Sequence, residues 1–347
     1  CVSGTHGKTT TSTLLAHLLR QSDVDCSAFL GGISKNYGTN LLLSDRSDLT
    51  VIEADEYDRS FHHLRPYMAV VTATDADHLD IYGTHEAYLE SFAHFTELIR
   101  PDGCLLVKRG LLLRPRPVEG VKCYSYATER QEGYRQADFY SDHVQVADGR
   151  LYFDFHHPGG VLERMELGVP MLIHVENATA AMALARLNGV TDEELREGLA
   201  SFQGNQRRFD IQVRRPGFVY IDDYAHHPDE LRASIASLKF LFPDKKITGI
   251  FQPHLYTRTR DFAAEFAAVL SELDEVILLD IYPAREEPIP GVTSRIVFDR
   301  LTAPLKHMAT LDSVVPLLDR LHPEVLATLG AGNIDSLIPI LKEKYSV

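Results

Sequence analysis

Apolar positions along the chain fall into two rhythms whose alternation predicts the fold. After the glycine-containing segment 1–10, Leu14, Leu15, Leu18 and Leu19 keep a helical spacing, so a strand end, a turn and a helix start are expected there. Short continuous apolar runs at 49–54, 68–72 and 104–108 predict buried strands, with a helix over 85–99 between the last two. Strands alternating with helices predict a parallel sheet covered on its faces. From 121 to 171 the pattern shortens to alternate positions, with 143–146 and 151–155 joined through Asp148-Gly149, a pair suited to a hairpin turn. A small antiparallel sheet is expected there, followed by helices over 177–187 and 191–201. Beyond Pro216-Gly217 a fresh series begins, with strands at 219–222, 247–252, 276–281, 307–311 and 325–329 and helices at 228–241 and 261–273. This second series predicts a doubly wound α/β domain. The boundary falls just after Arg207-Arg208-Phe209, dividing the chain into 1–212 and 213–347.

Composition narrows the function. The chain has 347 residues, 44% of them hydrophobic, enough for two large cores. Its net charge of -14 argues against nucleic-acid binding, which leaves a basic footprint. Anionic ligands must then be met by local cations or metal ions. Cys1, Cys26, Cys104 and Cys123 lack the short paired spacings of a zinc site or disulfide framework, so a reducing, cytoplasmic setting is expected. No apolar run approaches the roughly 20 residues of a membrane helix. Only Cys1, Val2 and Ser3 precede the first turn, and the expectation is that the chain starts inside a longer protein.

Gly4-Thr5-His6-Gly7-Lys8-Thr9-Thr10 matches the end of a phosphate-binding loop, where backbone N–H groups cradle phosphates, lysine adds charge and threonine reaches Mg2+. Val2 stands where the pattern has its first glycine, and a plain strand-to-helix turn with a solvated lysine is the alternative. The strand at 49–54 delivers Glu53-Ala54-Asp55-Glu56-Tyr57-Asp58 to its C-terminal end, where open α/β sheets bind ligands. The strand at 68–72 leads into Thr74-Asp75-Ala76-Asp77-His78-Leu79-Asp80. Singly, each acid reads as a solvated loop residue. Two such strand ends beside a phosphate loop point to oxygen-ligated metal ions. Asp77-His78 alone also suits a phosphohydrolase, but His62-His63 and His156-His157 read as solvated surface pairs and supply no further ligands. His85-Glu86 lacks the second histidine of a zinc protease helix.

With these segments in place the sequence resembles the Mur ligase family, ATP-dependent amide-forming enzymes of peptidoglycan synthesis. The resemblance implies an α/β architecture: a central P-loop ATPase-like parallel-sheet domain with a small antiparallel sheet, then a Rossmann-like C-terminal domain that binds the amino acid. It implies ATP and Mg2+ as cofactors, with Gly4, Thr5, His6, Gly7, Lys8, Thr9 and Thr10 on the phosphates, Thr9 and Glu53 sharing one Mg2+, and His78 helping to hold another. Asn177 corresponds to the adenine contact. The family often carries His-Asn four and three residues earlier, where this chain has Ile173 and His174. Arg208 corresponds to the γ-phosphate contact and Asp223 to the ribose contact.

Within the family, Asp223-Tyr224-Ala225-His226-His227-Pro228, Gln252-Pro253-His254 with Arg258, and Gly330-Ala331-Gly332-Asn333 resemble the alanine-adding branch. Arg258 is then the group for the amino-acid carboxylate, which a guanidinium can pair bidentately. His227 contacts or orients the alanine, and Lys8, His227 and Arg208 form the catalytic set. Leu255 replaces an arginine found in some relatives, and no lysine lies in 85–99, where later-acting relatives use a modified one. The substrates implied are UDP-N-acetylmuramate and L-alanine, joined through an acyl phosphate, with no nucleic-acid or membrane partner. Two other readings stay open: a recycling ligase that adds a tripeptide to the same sugar nucleotide, and a nucleotide-binding module or phosphate hydrolase that forms no amide. In the family a separate N-terminal domain grips the UDP group. The expectation is that this chain lacks it, binding ATP but ligating poorly.

Overall fold

The computed structural model describes residues 1–76 and 79–346, in two units, Cys1–Gln206 and Arg207–Val347. Asp77 and His78, with the metal role expected of His78, lie outside the described residues.

In the first unit the elements run β1 (Val2–Ser3), α1 (Lys8–Arg20), β2 (Ser27–Ser34), β3 (Thr39–Leu42), β4 (Thr50–Ile52), β5 (Met68–Val71), α2 (Leu79–Tyr82), α3 (His85–Glu97), β6 (Cys104–Lys108), β7 (Lys122–Thr128), β8 (Phe139–Ala147), β9 (Arg150–His157), β10 (Gly160–Leu167), α4 (Leu172–Leu187) and α5 (Asp192–Ser201). One sheet takes the order β1-β5-β6-β7-β8-β9-β10. It is parallel from β1 to β8 and antiparallel from β8 to β10. The antiparallel strands expected from the Asp148-Gly149 turn therefore extend the parallel sheet instead of standing apart from it. Asp148 (φ 53) and Gly149 (φ 68) both take the left-handed conformation that a tight hairpin demands. A second sheet, β3-β2-β4, contains a hairpin that the sequence reading did not anticipate, because Gly31 and Gly32 interrupt its apolar pattern. Beyond β4, Glu53 makes an isolated parallel bridge with Val2, which sets that strand end beside β1.

Helices α1 and α4 pack together in this unit. Small side chains make the approach possible: Ala178, Ala180, Ala181, Ala183 and Ala185 are all buried. Helix α4 starts at Leu172, so Asn177 lies inside it and not at its beginning as expected. On another side, Phe61, Tyr88, Phe92 and Phe95 form an aromatic core between α3 and the sheet. Each such ring removed from water contributes about 1.5–3 kcal/mol. Thr84 caps α3, its hydroxyl accepting from the Ala87 N–H at 3.2 Å.

The second unit comprises β11 (Asp210–Arg215), β12 (Phe218–Asp223), α6 (Pro228–Leu241), β13 (Ile247–Phe251), α7 (Tyr256–Asp261), α8 (Ala263–Leu270), β14 (Glu275–Leu278), α9 (Arg295–Phe298), β15 (Leu305–Met308), α10 (Leu311–Leu321), β16 (Val325–Leu329) and α11 (Leu337–Tyr345). Its sheet order is β11-β12-β16-β13-β14-β15, parallel throughout except for β11. Strands β12, β13, β14 and β16 are buried along their whole length, as strands covered on both faces must be. Strand β11 pairs antiparallel with β12, which draws residues 207–212 into this unit, ahead of the boundary drawn at 212/213. The helix expected over 261–273 divides into α7 and α8 at Phe262. The strand expected at 307–311 ends at Met308, because Thr310 caps α10 through the Ser313 N–H. Among the described residues no helix is long and apolar enough to cross a membrane, and all four cysteines are free.

Candidate functional site

The phosphate-loop segment folds as its composition dictates. Gly4 (φ 140) and Gly7 (φ 83) take backbone angles that a side chain would strain. A Cβ at Gly4 would also lie 2.2 Å from Thr72 Oγ1, and one at Gly7 would lie 2.6 Å from Asn177 Oδ1. Val2, where the pattern has a glycine, is a fully buried residue of β1; the departure is a strand residue and leaves the loop unchanged. Helix α1 starts directly after Gly7 with no acidic residue in its first turn, so its positive end is free to meet phosphate oxygens. The loop is tied to the next strand end: the Thr5 N–H donates to Ala73 O at 3.1 Å, Thr5 Oγ1 to Asp75 O at 3.0 Å, and Thr72 Oγ1 to His6 O at 2.6 Å. The His6 ring is exposed, 4.0 Å from Asp75.

Lys8 donates to Gly4 O at 2.9 Å and to both carboxylate oxygens of Glu56 at 2.8 Å each. Glu56 is wholly buried and also accepts from Tyr88 Oη at 3.3 Å. The sequence reading grouped Glu56 with the metal acids, whereas here it is the ion-pair partner of the lysine. Thr9 Oγ1 donates to Glu53 Oε1 at 3.0 Å, and the Gly31 N–H donates to Glu53 Oε2 at 3.0 Å. A Cβ at Gly31 would lie 2.3 Å from that carboxylate. The paired glycines inside β2 were the sequence signal for a close approach at this point. A hydroxyl and a carboxylate side by side are hard oxygen donors of the kind Mg2+ prefers. Asn205, also unanticipated, donates to Thr9 O at 3.4 Å, and its buried Oδ1 has no partner among the described residues.

Asn177 Oδ1 accepts from Thr11 Oγ1 at 3.3 Å, joining α4 to the phosphate loop. His174 is buried in the same helix, its ring 3.4 Å from Val169 O. Next to Asn177, Glu176 binds Lys108 at 2.8 Å and accepts from Gln131 Nε2 at 2.8 Å. Lys108 and Gln131, with Ala73, Asp75 and Arg109, line a cavity of about 800 Å3, within the range of small-molecule sites. The histidine pairs expected at the surface are partly inside: His157 is buried and accepts from Arg186 Nε at 3.1 Å, and His62 meets Ser91 at 3.0 Å.

In the second unit the strand ends of β12, β13 and β16 gather the remaining candidates. Asp222 accepts from Thr328 Oγ1 at 2.6 Å and from Arg207 Nε at 3.3 Å. Burial pushes the Asp222 carboxyl up to about 6, against the pull of Thr328 and Arg207, and burial does the same for Asp223, to about 6. Arg207 also donates to Gly330 O at 2.7 Å. Arg208 faces Glu230 at 4.0 Å, and both guanidiniums lie over the Tyr224 ring, at 5.1 and 5.2 Å. His227 precedes Pro228 at the start of α6, its N–H donating to Glu230 Oε2 at 3.2 Å and its ring edge-on to Phe262 at 4.9 Å. Arg258 in α7 approaches His254 Nδ1 at 3.4 Å, and His254 stacks on Tyr282. Burial lowers the pKa of both His226 and His254, favouring the neutral imidazole. Leu255 sits at φ 71 between His254 and α7, a strained angle for a branched side chain.

A glycine-lysine-threonine loop with an adjoining oxygen-donor pair, and a second α/β unit carrying arginines and histidines, are the features that the resemblance to ATP-dependent ligases predicts. The chain belongs to the Mur ligase family: residues 2–185 match the Mur ligase middle domain and residues 207–332 match the Mur ligase glutamate ligase domain. It is similar to the UDP-N-acetylmuramate--L-alanine ligase of Parabacteroides distasonis, 60% identical over 343 residues, 99% of this chain and 73% of that protein. The ligase of the same name from Porphyromonas gingivalis is 58% identical over 347 residues, 99% of this chain and 75% of that protein. The solved UDP-N-acetylmuramate-alanine ligase of Thermotoga maritima superposes with a TM-score of 0.81 at 26% identity, covering 99% of this chain and 74% of that one. The resemblance to the family, and to its alanine-adding branch, agrees with these relatives.

Proposed function

We propose that the chain carries out the ATP-dependent joining of L-alanine to UDP-N-acetylmuramate in peptidoglycan synthesis. The observation that carries this reading is identity of 60% across 99% of the chain to a ligase of that name, and the turn from Gly4 to Gly7 leading into helix α1 supports it. Lys8 and the N–H groups at the start of α1 hold the ATP phosphates, and Arg208 meets the γ-phosphate. Phosphoryl transfer depends mainly on such positioning and charge neutralisation. Thr9 and Glu53 fit Mg2+ as an oxygen-donor pair 3.0 Å apart, and His78 is assigned to a second ion. An Mg2+ ion held by Thr9 and Glu53 would supply charge neutralisation to the phosphates. Asn177 serves the adenine and Asp223 the ribose. In the second unit Arg258 pairs with the alanine carboxylate, and the half-exposed His227 ring orients the amine.

The test is phosphate release from ATP with UDP-N-acetylmuramate, comparing L-alanine, the muramyl tripeptide and no amine. Release that depends on alanine is the expected result. Preference for the tripeptide would make the chain a recycling ligase, and release independent of any amine would make it a nucleotide hydrolase.

A further inference from the structure

On the antiparallel part of the first unit, away from the phosphate loop, three ligating side chains converge. Asp142, His143 and Asp154 each offer a ligand atom, and these atoms all lie within 4.8 Å of one another. His143 Nδ1 is 2.8 Å from Asp154 Oδ2 and 3.7 Å from Asp142 Oδ1. Ligands bound tetrahedrally at 2.0–2.1 Å stand about 3.3 Å apart, so these two separations bracket the required edge. In the sheet order, β1 and β8 are separated by four steps of about 4.8 Å, which puts the cluster roughly 19 Å from the strand that carries the phosphate loop.

The backbone is bent to make this arrangement. The register of β8 on β9 shifts between Asp142 and Gln145, and that of β10 on β9 shifts between Leu162 and Met165. His143 (φ 53) and Arg164 (φ 51) both take the left-handed conformation in these bulges. Glu129 pins the first bulge by accepting from the His143 N–H at 2.9 Å, and the Arg164 N–H donates to Asp154 Oδ1 at 2.7 Å, leaving Oδ2 facing His143. Asp142 is only 2% exposed. Its Oδ2 is engaged by Tyr134 Oη at 3.2 Å and Arg135 at 3.5 Å, and its Oδ1 accepts from His156 Nε2 at 2.8 Å. His156 is itself held by stacking on Tyr140, 4.2 Å between ring centroids. Carboxylates that ligate metals are commonly held by a further hydrogen bond from outside the site, which His156 supplies to Asp142.

We propose that Asp142, His143 and Asp154 bind a divalent transition metal of the Zn2+ class, with His156 orienting Asp142. One imidazole and two carboxylates favour such an ion over Mg2+, which takes few nitrogen ligands. Three protein ligands leave the fourth position to water, and the 64% exposed His143 ring gives the ion its entry path. The ion clips β8 to β9 across the bulges and stabilises the meander.

The test is calorimetric titration of the full chain with Zn2+ in excess Mg2+, paired with thermal melting. One Zn2+ per chain and a raised melting temperature are expected. In His143→Gly and in Asp154→Asn the affinity should fall at least about tenfold, and the rise in melting temperature should shrink with it. Glycine suits φ 53 and asparagine is isosteric, so circular dichroism should show both variants folded. Co2+ should give a visible absorption band with the unmodified chain that is absent with His143→Gly. Absence of saturable Zn2+ binding, or binding unchanged in both folded variants, would overturn the proposal and leave the cluster as an ion-pair network.

Discussion

Each unit holds a basic side chain against a buried acid beside its sheet, but the two distribute the work differently. In the first, Lys8 is alone: 14% exposed, it is bound to Gly4 O and to both oxygens of Glu56. On the proposed function, the ammonium offered to phosphate is therefore also the counter-charge of a buried carboxylate. In the second, two consecutive arginines divide these duties. Arg207, 19% exposed, is bound to Asp222 and the Gly330 carbonyl, while Arg208, 39% exposed, stands 4.0 Å from the Glu230 carboxylate. On that reading one lysine serves both fold and ligand, whereas the arginine pair separates them.

The largest effect should follow from breaking the double duty. Lys8→Ala should slow phosphate release at least about 100-fold. It should also lower stability by about 3–5 kcal/mol, the cost of leaving a buried charge unpaired. In the double variant Lys8→Ala/Glu56→Gln the urea midpoint should recover while turnover stays lost. A Lys8→Ala variant as stable as the parent would show that Glu56 does not depend on it.

The arginine pair should split in the same two measurements. Arg207→Ala should cost about 3 kcal/mol in urea unfolding because Asp222 stays buried. Arg208→Ala should change stability by less than about 0.5 kcal/mol yet slow turnover about 100-fold. Equal effects on stability would erase the division of labour. Next in size, Glu53→Ala should raise the Mg2+ concentration for half-maximal turnover at least about tenfold; an unchanged titration curve would reduce the Thr9–Glu53 pair to a structural hydrogen bond.

The smallest effect is one of pH, with opposite signs in the two units. Burial raises Asp222 and Asp223 from 3.8 to about 6, so between about pH 4 and 6 the folded chain keeps protons that the unfolded chain has released. Their contribution to stability is full below about pH 4 and declines as pH rises through about 6. In the first unit Asp25 is lowered to about 2, because hydrogen bonds from Ser44, the Cys26 N–H and Arg20 outweigh its burial. Its contribution is present above about pH 4 and is lost as pH falls through about 2. Urea midpoints measured across pH should lose part of the first slope in Asp222→Asn, the rest being carried by Asp223, and should lose the second in Asp25→Asn.

Local chemistry made much of this legible beforehand. Gly4, Gly7 and Lys8 announce their turn because only a few residue types satisfy its angles and charge, and the strands of the second unit announce themselves as continuous apolar runs. Glu53 was readable as an acid at a strand end. The partner of Lys8 was not, since Asp55 and Glu56 differ in sequence only by one position and in structure by exposure. Strand β2 was hidden by the glycines that let it approach Glu53, and β11 by its mixed polarity as an edge strand.

The sequence by itself determined the class of chemistry, because a phosphate loop, an acidic strand end and a second α/β series are each written within a few consecutive residues. Only the tertiary structure decided which groups meet. Lys8 and Glu56 stand 48 positions apart, and Thr11 and Asn177 stand 166 apart. These meetings depend on the order of strands in the sheet and on which side chains burial forces to pair. Periodicity cannot carry that information, since it records which face of an element is buried and not which element covers it.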